Sequence, residues 1–294
     1  ISLAFQVELP LVIVNVQRAG PSTGMPTKTE QSDLLMAMYG RHGEAPLPVL
    51  AISTSSDAFE TTIEACRIAI KYMTPVLLLS DGYIATGSEP WLLPDVNALP
   101  DLSVPFALKT EGEEFFPYSR DPETFARPWA IPGTPGLEHR VGGLEHAHNT
   151  GDVSYDPENH EEMTLRREAK VAAITADIPP IEIFGPEQGN LLVLGWGSTF
   201  GSIRAGVTRL NEAGIQVSHV HLRHLNPLPS DLGSVIANFD QLLIPELNRG
   251  QLSKIIRAEY LVDAASLSKI QGLPLKAEEI ANEIATLLEV TLKS

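Results

Sequence analysis

The sequence predicts an α/β fold made of two doubly wound domains, and three observations carry that reading. Short apolar, β-branched runs alternate with segments of helical periodicity, the pattern of parallel strands joined by crossover helices. The alternation fades between Ser88 and Tyr155 and then resumes, so two α/β units flank an irregular stretch. With 294 residues and 43% hydrophobic content the chain can fill one large core or two ordinary ones.

In chain order, residues 11–16 form an apolar run suited to a strand buried on both faces, followed by a Gly/Pro/Ser/Thr stretch over 19–29. Residues 29–38 read as a helix, acidic early and apolar at Leu34, Leu35 and Met38, and residues 48–52 as the next strand. The clearest helix spans 56–73. Ser55, Ser56 or Asp57 can cap it, and Phe59, Ile63, Cys66, Ile70 and Met73 recur along one face. A buried strand over 75–79 then ends at Ser80-Asp81-Gly82.

Proline, glycine and aromatic residues dominate from 88 to 155, a composition that fits a functional segment, a flexible one or one wrapped over a partner. A helix follows over 157–175. After Pro179-Pro180 the pattern predicts strands at 191–195, 216–222 and 241–246 and helices at 202–213, 230–238, 250–257 and 276–292. The expected division is a first domain over 1–115, a linker and helix over 116–185, and a smaller domain over 186–294.

Charge and cysteine content narrow the function. Against 37 acidic residues stand 21 basic ones, net −16, leaving no basic stripe to neutralise a phosphate backbone, so nucleic acid is excluded as a partner. One cysteine, Cys66, permits no internal disulfide and no four-cysteine cluster from this chain alone. The longest apolar run, 9–16, is broken by Pro10 and Asn15 and falls far short of the roughly 20 residues that cross a bilayer. No membrane segment and a cytoplasmic location are therefore expected. Residues 1–7 lack the features of a signal peptide, and Ile1 reads as the cut end of a longer chain.

The loop over 15–33 lies just past the carboxyl end of a predicted strand, where open α/β sheets place ligands. Arg18 opens it. A guanidinium at the end of an apolar strand suits a planar anion such as a carboxylate, although a structural ion pair would use the same residue. Gly195-Trp-Gly-Ser-Thr-Phe-Gly201 has the spacing of a dinucleotide fingerprint. About 20 residues on, where a ribose-binding acid is expected, the chain reads Ser218-His-Val-His-Leu-Arg-His224, so the fingerprint is expected to be a decoy. His139, His146 and His148 lie near Glu138 and Glu145, and His219 and His221 alternate on one strand. Without a third ligand at a recognisable spacing these are expected to be hydrogen-bonded loop and interface histidines rather than metal ligands. His42, soon after the Arg18 loop, is the one histidine proposed to handle a proton or contact substrate.

Six segments, VNVQRAGPSTGMPTKTEQSDL, YGRHGE, PVLLLSDGYIA, RPWAIPGTPGLEHRVGGLEH, TGDVSYDPENHEEM and PELNRGQL, follow one another along the chain. In that order and spacing they resemble the α subunits of 2-oxoacid:ferredoxin oxidoreductases, the 2-oxoglutarate type in particular. The resemblance covers nearly the whole chain. It implies a first domain that binds the aminopyrimidine end of thiamine diphosphate and a second similar to the carboxyl-terminal domain of transketolases, which serves assembly. A separate β subunit would hold the diphosphate, the magnesium ion and an iron–sulfur cluster. The implied reaction is oxidative decarboxylation of a 2-oxoacid to its acyl-coenzyme A, with ferredoxin as acceptor. Arg18 is implied to pair with the substrate carboxylate and Thr27 to hydrogen-bond the substrate. The family's YPITP-like stretch and its activating glutamate do not precede Ile1, so this segment alone is expected to be inactive. A member specific for pyruvate or another 2-oxoacid, and a non-catalytic assembly module, are the rival readings.

Overall fold

The computed structural model describes residues 1–291. A short helix α1 (Ser2–Gln6) leads into β1 (Leu11–Gln17), then α2 (Leu34–Tyr39), β2 (Val49–Ala51), α3 (Asp57–Tyr72), β3 (Pro75–Asp81) and α4 (Gly82–Thr86). Residues 88–155 hold one helical turn, Val96–Ala98, and isolated bridges such as Phe106 to Trp129. The chain continues through α5 (Pro157–Ala173), β4 (Gly189–Trp196), α6 (Phe200–Glu212), β5 (Ser218–Leu222), β6 (His224–Asn226), α7 (Leu232–Ile236), β7 (Phe239–Glu246), α8 (Gln251–Tyr260), β8 (Ala265–Ser268) and α9 (Ala277–Leu287). The helix expected over 276–292 thus stops at Leu287, and Leu292 lies outside the described residues.

Two sheets result. The first has the order β1-β3-β2-β6, its three early strands parallel and β6 antiparallel; the second, β5-β4-β7-β8, is parallel throughout. Strand β6 comes from the later part of the chain yet closes the first sheet, and Asn226 Nδ2 donates to Leu47 O at 2.6 Å. One core runs between the sheets, with Leu34, Leu47, Val49 and Leu79 packed among Trp196, Leu222, Leu225 and Ile244. Burying each such aliphatic side chain contributes about 1.5–3 kcal/mol, so apolar contact holds the two sheets together.

Three expectations are corrected. Strand β1 is not buried on both faces: Leu11, Val14 and Val16 are 42%, 54% and 49% exposed. It is an edge strand that pairs only with β3 among the described residues, whereas β3, flanked on both sides, is buried at every position. Helix α2 begins at Leu34, not at residue 29, because the preceding segment bonds outward. Thr29 Oγ1 donates to Asp81 Oδ1 at 3.0 Å and the Gln31 amide to Leu247 O at 3.1 Å, which takes these groups out of a helical ladder. Helix α3 buries Thr61, Ala65, Ile68, Ala69 and Tyr72 rather than the face of Phe59, Ile63, Cys66 and Ile70. That second face is half covered by the irregular stretch, where Trp91 stacks on Phe59 with ring centroids 5.5 Å apart. Ser56 makes no side-chain cap, and the Asp57 carboxylate instead accepts from Ser53 N and Oγ at 2.9 and 2.8 Å.

A buried ion cluster fastens the irregular stretch to the start of β1. Glu8, 2% exposed, contacts the Arg120 guanidinium from the stretch and the Lys170 ammonium from α5. Burial alone would push its carboxyl upward, but Lys170 and Arg120 together hold it below the ordinary value.

Candidate substrate loop

The parallel strands β1 and β3 run side by side in register from Leu11↔Pro75 to Gln17↔Asp81, so their carboxyl ends reach one edge of the sheet together. Gln17, 1% exposed, locks that edge. Its amide donates to Ser80 O at 3.2 Å and its side-chain carbonyl accepts the Asp33 amide at 2.9 Å, joining the two ends of the loop that follows. The loop is pinched where Ala19 N donates to Lys28 O at 2.9 Å, and a second bond runs from Met25 N to Ala19 O at 2.9 Å. Arg18 and Thr27, nine positions apart in sequence, thereby flank the same neck.

Both are exposed, and neither the Arg18 guanidinium nor the Thr27 hydroxyl bonds another described residue. Ser22, Gly24 and Thr27 all adopt left-handed backbone, with φ of 57°, 51° and 61°. A β-branched residue is seldom found there, and such conformations gather at ligand-binding turns because the surroundings must hold them in place. Gly24 tolerates no side chain, since a Cβ would run into the Ala19 carbonyl.

What holds the loop is the rest of the protein. Asp81 receives the Thr29 hydroxyl and also caps α4 by accepting from Tyr83 N at 2.9 Å and Ile84 N at 3.2 Å, which accounts for the Ser80-Asp81-Gly82 ending. From the second sheet, Gln31 is gripped on all sides. Its side chain donates to Trp196 O at 2.8 Å and accepts from Leu247 N at 3.0 Å, while its carbonyl accepts Asn248 Nδ2 at 2.8 Å. Gln251 adds bonds to Leu35 N at 2.9 Å and Ser32 O at 2.7 Å. Beneath them Glu246, fully buried, takes Trp196 Nε1, Asn248 Nδ2, Leu252 N and Ser253 N, and burial pushes its carboxyl up despite those donors. The PELNRGQL segment is therefore a clasp for the loop that follows β1, a role that its sequence did not disclose.

Replacing Gln31 with Ala leaves Leu247 N buried without a partner, at about 1–3 kcal/mol for the unpaired group, and strips one of two donors from Trp196 O, which keeps the Thr199 hydroxyl at 2.7 Å. The expected result is faster hydrogen exchange at Leu247 and along residues 19–31. Unchanged exchange there would show that the clasp does not hold the loop.

The same contacts explain the glycine fingerprint over 195–201. Gly197 has φ 59°, and a Cβ on it would meet the Gln31 amide. The turn that a dinucleotide phosphate would occupy is thus packed against the first sheet's loop. His219 and His221 are packing groups beside it. Their rings stack edge to face at 5.5 Å, both lie against Phe200, and His221 Nε2 is 3.0 Å from Gly197 O. Burial lowers both imidazoles, His221 to about 4, so neither is charged at neutral pH.

The loop histidines likewise have local partners. His139 and His146 place Nδ1 at 2.8 and 3.1 Å from the carbonyls of Leu137 and Leu144, and His148 Nδ1 lies 3.4 Å from Glu162. His42 is exposed on the turn that precedes β2, at the amino ends of the parallel strands. Arg18 and Thr27 sit at the carboxyl ends, so the structure brings those two together and places His42 at the opposite edge.

Among the described residues no three His, Cys, Asp or Glu side chains converge to hold a metal ion, and the one cysteine, Cys66, is unpaired. One cysteine cannot by itself supply the four thiolates of an iron–sulfur cluster. What the loop offers is a cation and a hydroxyl on a strained, well-anchored turn, a donor set for a carboxylate.

Residues 1–158 match the family described as pyruvate flavodoxin/ferredoxin oxidoreductase, thiamine-diphosphate-binding. The chain is 52% identical to the 2-oxoglutarate oxidoreductase subunit KorA of Mycobacterium tuberculosis, over 98% of this chain and 44% of that protein. It is 30% identical to the 2-oxoglutarate synthase subunit KorA of Methanothermobacter thermautotrophicus, over 97% of this chain and 75% of the relative. Among solved structures, the 2-oxoglutarate:ferredoxin oxidoreductase of Magnetococcus marinus, which holds 2-oxoglutarate, coenzyme A and succinyl-CoA, superposes with a TM-score of 0.90 at 34% identity, over 98% of this chain and 50% of that one. The chain spans about half the length of several of the relatives it matches. By the extent of the family match and the identity to relatives along almost all its length, the chain belongs to the pyruvate flavodoxin/ferredoxin oxidoreductase family, with the thiamine-diphosphate-binding region in residues 1–158.

Proposed function

We propose that this chain forms the pyrimidine side of the active site in the α subunit of a 2-oxoglutarate:ferredoxin oxidoreductase, and that its loop over 18–29 holds the 2-oxoacid. The observation that supports this most is the pairing of Arg18 and Thr27 at one loop neck, both exposed and without partners, at the carboxyl ends of parallel strands. Thiamine diphosphate, when bound, supplies the electron sink that lets the carboxylate leave. The chain's own task is orientation. Arg18 grips the carboxylate with two parallel N–H donors, and Thr27 gives a third polar contact that fixes the substrate's rotation about that axis.

In this reading the diphosphate, magnesium and iron–sulfur cluster belong to a β subunit, ferredoxin takes the electrons, coenzyme A accepts the acyl group, and the complex works in the cytoplasm. Strands β1, β2 and β3 belong to the pyrimidine-binding domain over 1–115 and the second sheet to a transketolase-like carboxyl-terminal domain over 186–294, which lends β6 to the first sheet, the two joined by 116–185. The region over 88–155 carries Leu92, Leu93, Leu108 and Tyr155 at 85–93% exposure, apolar surface that suits a neighbouring subunit. No helix among the described residues is long and apolar enough to cross a membrane.

The test is co-expression of the full-length protein with its β subunit, followed by a coenzyme A-dependent assay on 2-oxoglutarate, pyruvate and a branched 2-oxoacid. The expected order places 2-oxoglutarate first in kcat/KM. Faster turnover of pyruvate would favour the pyruvate-specific alternative, and no turnover of any 2-oxoacid would favour an assembly module.

A further inference from the structure

At the amino ends of the strands, a strand's length from the Arg18 loop, lies a cavity of about 620 Å³. Its position follows from α3, which leaves the carboxyl end of β2 at Asp57 and delivers Arg67, Ile70 and Lys71 to the opposite edge of the sheet. Residues 101–105 and 119–129 of the irregular stretch close it. The volume falls within the range of about 300–1,000 Å³ common for small-molecule sites, and Ile70, Leu102 and Trp129 give it an apolar wall.

Arg127 is the anomaly in that wall. It is only 7% exposed, yet no carboxylate among the described residues pairs with it. Its Nη1 reaches Pro128 O at 3.4 Å and its Nε, fully enclosed, bonds no described atom. Its neighbours make the deficit larger. Arg127 and Arg120 sit over the same ring, Tyr118, at 5.8 and 5.5 Å from the centroid, and Lys170 lies behind them. Against these three cations stands Glu8, which is already engaged by Arg120 and Lys170. The other cations that line the cavity are accounted for, because Asp177 takes both Arg67 and Lys71. The acids of the lining face their own loops, Asp121 accepting from Thr124 N and Oγ1 at 2.7 and 2.9 Å and Asp101 from Ser103 N and Oγ at 2.8 Å each.

A buried guanidinium with no anion is costly, since its desolvation is not offset. The excess here is two positive charges, three cations less one carboxylate. The geometry points to a second ligand site: the cavity binds a small organic dianion, a phosphate monoester or a dicarboxylate, with its charged head at Arg127 and its apolar body against Trp129. Burial and the neighbouring Arg120 press the Arg127 guanidinium toward its neutral form, and a bound anion relieves both effects.

Calorimetric titration of the full-length protein in its complex tests this with phenyl phosphate, inorganic phosphate, succinate and the uncharged benzyl alcohol as probes. Phenyl phosphate or succinate should bind, benzyl alcohol should not, and the ratio of the first two tells which dianion the site takes. In Arg127→Gln the affinity should fall about tenfold or more, while Arg18→Ala, which alters the substrate loop, should leave it unchanged. Ser103→Trp keeps Arg127 and fills the cavity from an exposed loop, so it should abolish binding without lowering the melting temperature. Absence of binding by every anion, or binding that survives both Arg127→Gln and Ser103→Trp, overturns the proposal. Binding lost in Arg18→Ala instead would show that the probe occupies the substrate loop and would equally overturn it.

Discussion

In the complete α/β complex, Arg18→Ala lowers kcat/KM for 2-oxoglutarate by an amount equivalent to about 2–5 kcal/mol of transition-state stabilisation, the range for truncating one partner of a desolvated charged pair. Arg18→Lys falls less. It keeps the charge but replaces a planar fork by a single point donor, so the carboxylate can swing about one contact. Folding is little affected in either variant, because the Arg18 side chain is exposed and bonds no described residue. Thermal melting separates the two effects: a kinetic loss with an unchanged melting temperature assigns Arg18 to substrate, while a fall in both would make it structural.

Glu8→Ala produces the largest loss of stability. Among the described residues it strips the only carboxylate from the Arg120 and Lys170 contacts at a site 2% exposed, and breaking a buried ion pair on one side typically costs about 3–5 kcal/mol. The loss should be local at first, seen as faster hydrogen exchange in α5 and residues 116–150. Glu8→Leu combined with Lys170→Met should recover part of it, because an apolar pair of similar volume removes one cation with the carboxylate, and Arg120 retains its bond to His148 O at 2.9 Å. The lowered pKa of Glu8 sets a direction with pH. The stabilisation is full above the ordinary carboxyl value of 4.5 and is lost as acidification protonates Glu8 below it. If Glu8→Ala melted and exchanged like the parent protein, the cluster would not anchor the irregular stretch.

The alternation of strands and helices was readable because buried parallel strands such as β3 are apolar at nearly every position and so stand out from amphipathic helices. Strand β1 looked the same in sequence, yet it lies at an edge. Local composition carries no information on which strands become neighbours. The buried face of α3 was misread for a related reason: both of its faces carry apolar residues, and only the tertiary structure decides that Ile68 and Tyr72 meet the sheet while Phe59 and Ile63 meet the irregular stretch. Short elements such as β6 and β8 lack the length for a periodic signal.

For the candidate site, the motif that contains Arg18 and Thr27 nominated both, and the structure adds the Ala19 to Lys28 bond that the two residues flank. The clasp around Gln31 was hidden, since its partners Trp196, Leu247 and Asn248 lie more than 160 positions away in sequence. The one available signal was the run of hydrogen-bonding side chains Glu246, Asn248 and Gln251 at and just past the end of a buried strand. Arg127 was equally silent, because an arginine's lack of a partner is a property of three-dimensional neighbours alone.

The most direct test of the account is a crystal structure of the complete protein with its β subunit, trapped with 2-oxoglutarate before turnover. The expected result is two Arg18 nitrogens at about 2.7–3.2 Å from the oxygens of one substrate carboxylate, with the Thr27 hydroxyl in hydrogen-bond reach of the same molecule. A substrate whose carboxylates are held entirely by other residues, with Arg18 directed to solvent, would contradict it.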